Sequence, residues 1–292
     1  GNQYHFEARA NYDKWRYLEH WALLLANLNV LTKNPAYGDR AAAIVGRFAQ
    51  GYPDYANRID YPGRPVVFFP ADMKWPFEGK ADGARPCKLY HWYYGDLPDP
   101  LVRAYDLLAS GDSFQRMADL LGPDIQKRIE NDLIRLGYDI TAIRPDHYDN
   151  MMPYLYHDWV LAGRVVGEPK MVHKAVDGAR ELMRKKFFYD GFWCEGTLSY
   201  HWQMVDNMNN VARVAQGYSD PPNWTGEKFE NLDLHKLIPM LARAEKTGRE
   251  CVLPDGRVAP INDTWWYENR GRLTRSVSRL WGGLGHGVLG AG

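Results

Sequence analysis

Residues 187–207 read FFYDGFWCEGTLSYHWQMVDN. Tyr200, Gln203 and Asn207 recur at steps of three and four, so on a helix they form one stripe. The apolar residues Leu198, Val205, Ala212 and Ala215 form another. A phenol and two carboxamides make a poor core face and a poor solvent face. They suit a cleft that binds hydroxyls and a carboxylate. His201 and Glu195 lie beside the stripe in sequence. The competing reading is a part-buried tyrosine whose hydroxyl has an internal partner.

A second constellation is DHYDNMMPYLYHDW, residues 146–159. Pro153 belongs in the first turn of a helix, which puts Asp149 or Asn150 at its cap. Asn150, Tyr154 and His157 fall on a stripe away from the apolar Met152, Leu155, Trp159, Ala162 and Val166. Asn150 is either a helix cap or an amide free for a ligand. His147 and His157 have no third ligand at metal spacing, so zinc is not expected there. A third segment, PDGRVAPINDTWW, sets Asp263, Trp265 and Trp266 behind a hairpin at Asp255-Gly256. There the alternatives are a capping aspartate and ordinary packing tryptophans. Residues 51–98 are rich in Pro, Gly and Tyr, with one brief apolar run, VVFFP. They carry Trp75 and the cations Lys74, Lys80, Arg85 and Lys88. This stretch is one wall of a substrate cleft or a long plain connection. No phosphate loop, nucleophile elbow or dinucleotide fingerprint is present.

The elements that must hold these residues are helical. Helices are expected at 10–31, 40–49, 100–110, 114–121, 124–136, 152–166, 172–182, 198–215, 235–246 and 270–281. In the first, two adjacent apolar rows, Trp15–Leu18–Ala22–Leu25 and Trp21–Leu24–Leu28–Leu31, predict a wide buried face. Gly167-Glu168-Pro169 punctuates an antiparallel helix hairpin. Little strand is expected. Stacked hairpins without a short repeat indicate an all-α fold, an incomplete α/α toroid rather than a solenoid.

Composition narrows the partners. The chain has 292 residues, with 36 Lys+Arg against 36 Asp+Glu. Net charge therefore gives no reason to expect nucleic acid or a membrane surface, and an anionic ligand needs a local patch. No apolar run reaches the ~20 residues of a membrane span. The three cysteines have no metal or dithiol spacing. Eleven Trp and nineteen Tyr would mostly pack the core, and those in loops suit sugar stacking. The first residues read as the interior of a longer protein, without a signal peptide.

Three stretches resemble the heparinase II/III-like polysaccharide lyases. DNMMPYLYHDWVLAGRVVGEPKMVHKAV has that family's Asn before a helix ending in G-x-x-x-G-x-P. FFYDGFWCEGTLSYHWQ is similar to its DG-x-x-x-EG-x-x-SYH signature, and LPDGRVAPINDT to its P-D-G-x-x-P-x-x-x-D segment. The resemblance covers about residues 144–264. It implies an α/α toroid over 1–284, with 285–292 a linker or the start of a β-sandwich that this chain lacks. It implies cleavage of a uronate-containing anionic polysaccharide by β-elimination, leaving a C4=C5 double bond. The catalytic residues would be Asn150 on the carboxylate, Tyr200 as base, acid or both, and His201 as its helper. Gln203, Asn207, Glu195, Tyr154, His157, Trp75, Lys88 and Trp265 would bind substrate. A phenol has an unperturbed pKa near 10, so Tyr200 needs cations or strong donors beside it. No cofactor is required, although a missing domain could hold a structural divalent metal. A β-sandwich domain or second chain would complete the site, and a periplasmic or secreted location is expected. The alternatives are a toroid glycoside hydrolase using Asp190 and Glu195 or Asp149 and Asp158, and a non-catalytic carbohydrate-binding domain.

Overall fold

The computed structural model describes residues 6–55, 57–60, 67–69, 85–88, 97–142, 148–253, 257–258 and 260–264, with backbone alone at 6–9, 57–60, 67–69 and 85–87. It is mostly helical, and its contacts group into two units, Gly1–Pro145 and Asp146–Gly292. The tryptophan pair Trp265-Trp266, the 255–256 turn, the 270–281 helix, Lys74, Trp75, Lys80, His147 and residues 285–292 lie outside the described residues. Among the described residues, no helix is long and apolar enough to cross a membrane.

In the first unit, α1 (Phe6–Thr32) and α2 (Pro35–Gly51) form a hairpin. Asn34 closes it: its Oδ1 accepts the Ala36 N–H at 3.1 Å, and Pro35 starts α2 at the position where a missing N–H costs nothing. Small residues line the contact, with Ala22, Ala26, Ala41, Ala42 and Ala49 fully buried. A three-residue 3-10 turn (Tyr52–Asp54) leads to three short strands, β1 (Asn57–Asp60), β2 (Val67–Phe69) and β3 (Arg85–Cys87). They pair antiparallel in the order β2-β1-β3, with Arg58 opposite both Phe68 and Cys87. The apolar run VVFFP thus supplies an edge strand. Beyond it come α3 (Asp99–Ala109), three single turns α4 (Ser113–Arg116), α5 (Ala118–Leu121) and α6 (Ile125–Arg128), a π-helical stretch (Ile129–Arg135) and α7 (Leu136–Ala142).

One expectation about α1 is corrected. Ala22, Leu25 and Ala26 are buried, but Trp21, Leu24 and Leu31 are 37%, 47% and 79% exposed. Leu18 of the first row is 39% exposed as well, because the partners of α1 in this unit among the described residues, α2 and α3, cover one side only.

The second unit follows its sequence closely. Helices α8 (Met152–Val166) and α9 (Pro169–Lys186) pack as the expected hairpin. Gly167 takes the left-handed conformation that ends α8 (φ 69°), and the Glu168 N–H reaches back to the Gly163 carbonyl at 2.8 Å. At Gly178 a methyl group would come within 2.5 Å of the Tyr156 ring, so a glycine is what lets the two helices approach. Helix α10 (Leu198–Ala215) packs on α8 and on α12 (Met240–Glu250). Pro239 splits the single helix expected at 235–246 into α11 (Leu234–Leu237) and α12.

Helices α8 and α10 run in the same direction. The Arg164 guanidinium in the last turn of α8 donates to Val214 O at 2.6 Å and Gln216 O at 3.0 Å, where α10 ends. The two helices, of 15 and 18 residues, are about 22 Å and 27 Å long at ~1.5 Å per residue. Tied at their C-termini and packed side by side, they bring their N-termini to one end of the unit. The C-terminus of α9 is at that end too, because Lys185 Nζ sits 4.3 Å from the centre of the Tyr148 ring, just ahead of α8.

Candidate active site

Helix α10 begins on a tight reversal. Phe187 and Trp193 form an antiparallel bridge, and between them Gly191 (φ 92°) donates to Phe188 O at 2.9 Å. The Asp190 carboxylate accepts the Phe192 N–H at 2.9 Å. A side chain at Gly191 would lie 2.8 Å from the Ala244 backbone nitrogen, so α12 requires the glycine. Arg243 and Thr247 of α12 clasp the turn, donating to the Tyr189 and Asp190 carbonyls. Aspartate and glycine here are structural.

His201 departs from expectation. It is fully buried. Its Nδ1 accepts the Trp193 N–H at 3.1 Å, and its Nε2 donates to the Ala244 carbonyl at 3.0 Å. Phe192 stacks on its face at 4.7 Å. One nitrogen accepting and the other donating define a neutral imidazole with neither nitrogen open to a substrate proton. His201 therefore pins the turn and α12 to α10 and is not the helper of Tyr200. Adjacent residues on a helix point about 100° apart, so closeness in sequence did not bring these two side chains to one face.

The Tyr200–Gln203–Asn207 stripe exists on α10 and sinks as it proceeds. Tyr200 and Gln203 are half-buried, and neither side chain hydrogen-bonds a described residue. Asn207 is 6% exposed, and its Nδ2 has no partner among the described residues. An unpaired buried amide costs about 1–3 kcal/mol, so this stripe is polar at a cost to the fold. The apolar stripe predicted beside it, Leu198, Val205, Ala212 and Ala215, is buried throughout.

Ahead of α8 the same contrast recurs. Asp149 organises the turn, with Oδ1 accepting the Met151 N–H at 3.0 Å and its carbonyl accepting the Met152 N–H at 3.2 Å. Asn150 is half-buried, and its side chain makes no hydrogen bond to a described residue. The N-cap position falls on Met151 and no side chain caps α8, so the Asn150 amide is spent neither on the cap nor on another described residue. Tyr154 is half-buried on α8, as is His157, whose Nδ1 meets Asp158 Oδ1 at 2.9 Å. Asn150 and Tyr200 thus share one end of the unit, and both are half-buried and unspent.

The sequence did not reveal the cap of α10. The Thr264 hydroxyl accepts the Leu198 N–H at 2.8 Å and the Ser199 N–H at 3.4 Å, and it meets Thr197 Oγ1 at 3.0 Å. Asn262 Nδ2 donates to Gly196 O at 2.8 Å and to Glu195 O at 3.4 Å. Two of the segments noted for their residue types therefore meet, INDT resting on EGTLS. The Glu195 side chain is exposed beside them, as is Asp263. A cap from so far along the chain leaves no local signature.

Lys88 is corrected as well. It is 5% exposed, and its ammonium donates to Pro53 O at 3.1 Å and Tyr55 O at 2.7 Å. A buried ammonium must be satisfied internally, so this lysine braces the first unit instead of facing a substrate. A cavity of ≈ 390 Å³ between Phe192, Leu198, Val252 and Ile261 is lined mainly by apolar groups. Its ionisable lining residues are Glu250 and Cys251, and it includes none of the phenol and amide groups described above. Comparison of the chain with the models of known protein families and with curated proteins finds no match.

Proposed function

We propose that the chain is the helical catalytic part of a lyase that cleaves a uronate-containing anionic polysaccharide by β-elimination. Its helix hairpins would be staves of an incomplete α/α toroid. One observation carries the reading: an amide and a phenol, Asn150 and Tyr200, are held half-buried at the same end of one unit without hydrogen-bond partners among the described residues. An amide and a phenol that no described residue engages, half-open at one end of the unit, are available to a ligand.

The chemistry follows from their types. The Asn150 amide donates to the uronate carboxylate and draws charge from it, which acidifies the proton on C5. Tyr200 takes that proton. The electron pair moves to form C4=C5, the C4–O4 bond breaks, and O4 leaves with a proton. Starting as the phenolate, Tyr200 is suited to both transfers: it takes the C5 proton, delivers it to O4 and so returns to its starting state. Gln203 and Asn207, further along the stripe, bind sugar hydroxyls.

The hydrolase reading draws less support. It needs two carboxylates on either side of a glycosidic bond. Asp190 and Asp149 each hold a backbone N–H of their own turn, and Asp158 holds His157. Digestion of a panel of uronate polymers separates the readings. A lyase gives products absorbing in the ultraviolet from C4=C5, a hydrolase gives products without it, and a binding domain gives none.

A further inference from the structure

The last turn of α9 carries Arg184, Lys185 and Lys186 to the end of the unit where Asn150 lies. Glu181 is the acid among them. Arg184 binds it through Nε at 3.0 Å and Nη2 at 2.7 Å, and Lys185 Nζ lies 3.1 Å from it. Lys186 is half-buried and has no acidic partner among the described residues. Its carbonyl accepts the Cys194 N–H at 2.9 Å, which fixes the backbone on the way to Tyr200. Of the three cations, Arg184 and Lys185 hold Glu181, and Lys186 pairs with no acid among the described residues.

Cations in a last helical turn complement the negative end of the helix dipole. That does not account for Tyr148. Its backbone is held at φ 51°, a conformation that residues with side chains rarely adopt, and its ring lies under the Lys185 ammonium two residues ahead of Asn150. Nor does it account for a half-buried Lys186 without a counterion among the described residues.

We infer that Lys186, with Lys185 on its Tyr148 platform, forms an anion-binding edge beside Asn150. This edge takes a second negative group of the polymer, either a neighbouring sugar's carboxylate or a sulfate. The identity of the ligand rests on the lyase reading. That Lys186 pairs with no acid among the described residues does not.

The test compares the full chain with Lys186→Gln, Lys186→Arg and Lys185→Gln on an unsulfated and a sulfated uronate polymer. Kinetics are followed by ultraviolet absorbance, and binding by retardation in gels containing each polymer. Lys186→Gln should raise KM about tenfold, the worth of roughly one partly screened charge pair, with the loss falling on KM more than on kcat. Lys186→Arg should restore most of it, and Lys185→Gln should act in the same direction. Loss confined to the sulfated polymer assigns the edge to sulfate, and equal loss on both assigns it to carboxylate. Unchanged KM and unchanged retardation in both glutamine variants would overturn the edge. If the unaltered chain cleaves neither polymer but Lys186→Gln still weakens retardation, the edge stands and the lyase reading falls.

Discussion

Tyr200 and His201 are neighbours in sequence and opposites in commitment. The histidine spends both nitrogens on backbone groups of two other segments, and the tyrosine hydroxyl bonds no described residue. His201→Ala should therefore act on the fold. It removes two buried hydrogen bonds and a stacked ring and leaves a cavity, a loss of about 2–4 kcal/mol. Chemical denaturation should show that loss, with the Trp193 amide exchanging faster with solvent. An unchanged denaturation midpoint would mean that the histidine is not a pin. The spacing of the Tyr200–Gln203–Asn207 stripe was readable because it depends only on the helical period. The role of His201 was not, because its partners come from the turn before α10 and from α12. Asn150 shows the same limit. Cap and ligand amide look alike in sequence until the structure places Met151 at the N-cap and leaves α8 without a side-chain cap.

Among the elements, α8 and α10 were legible to the residue, and α9 was legible as a helix but runs three residues earlier and four later than the 172–182 expected. Their apolar period coincides with local punctuation, Gly167 and Pro169 at one join and Asp190-Gly191 at the other. Elsewhere tertiary contacts decided. The single helix expected at 235–246 breaks at Pro239, and the wide apolar face of α1 finds partners on one side only. The beginning of α10 is the clearest case. Its N-cap position is Thr197, yet the Leu198 and Ser199 amides are satisfied by Thr264. Thr264→Val keeps the shape and removes the hydroxyl. It should cost about 1–2 kcal/mol, the usual worth of a cap, and speed hydrogen exchange at Leu198 and Ser199. If those amides stay equally protected, Thr264 does not cap α10. Because Tyr200 sits in that first turn, the same substitution should also weaken catalysis without touching a reacting group.

At the scale of the whole molecule, balanced charge leaves recognition and acid stability to local clusters. One such cluster fastens residues 216–233 to α9. Asp220, with no side-chain exposure, accepts from His173 at 2.9 Å, from the Tyr218 hydroxyl at 2.8 Å and from the Phe229 N–H at 2.7 Å. Trp224 and Phe229 stack on the His173 ring at 4.7 and 4.2 Å. Burial pushes the Asp220 carboxyl up, but hydrogen bonds from Phe229, Tyr218 and His173 outweigh it and hold it below the usual range. A carboxyl whose folded pKa is lowered stabilises the fold above its unfolded value of about 3.9, and that contribution is lost as pH falls through the folded value. Asp220→Asn should therefore be less stable than the unaltered chain at pH 7, by about 1–3 kcal/mol. The gap should close in strong acid. Parallel denaturation curves at every pH would show that Asp220 does not supply this acid dependence.

The central claim concerns the Tyr200 phenol. The most direct measurement is the initial rate of ultraviolet absorbance from C4=C5 on a panel of uronate polymers, for the full chain and for Tyr200→Phe. The ring packing is kept and only the hydroxyl is lost. The account predicts unsaturated product from at least one polymer, and a fall of about 100-fold or more in Tyr200→Phe with an unchanged melting temperature. Equal rates in the two proteins, or cleavage products that lack the double bond, would contradict it.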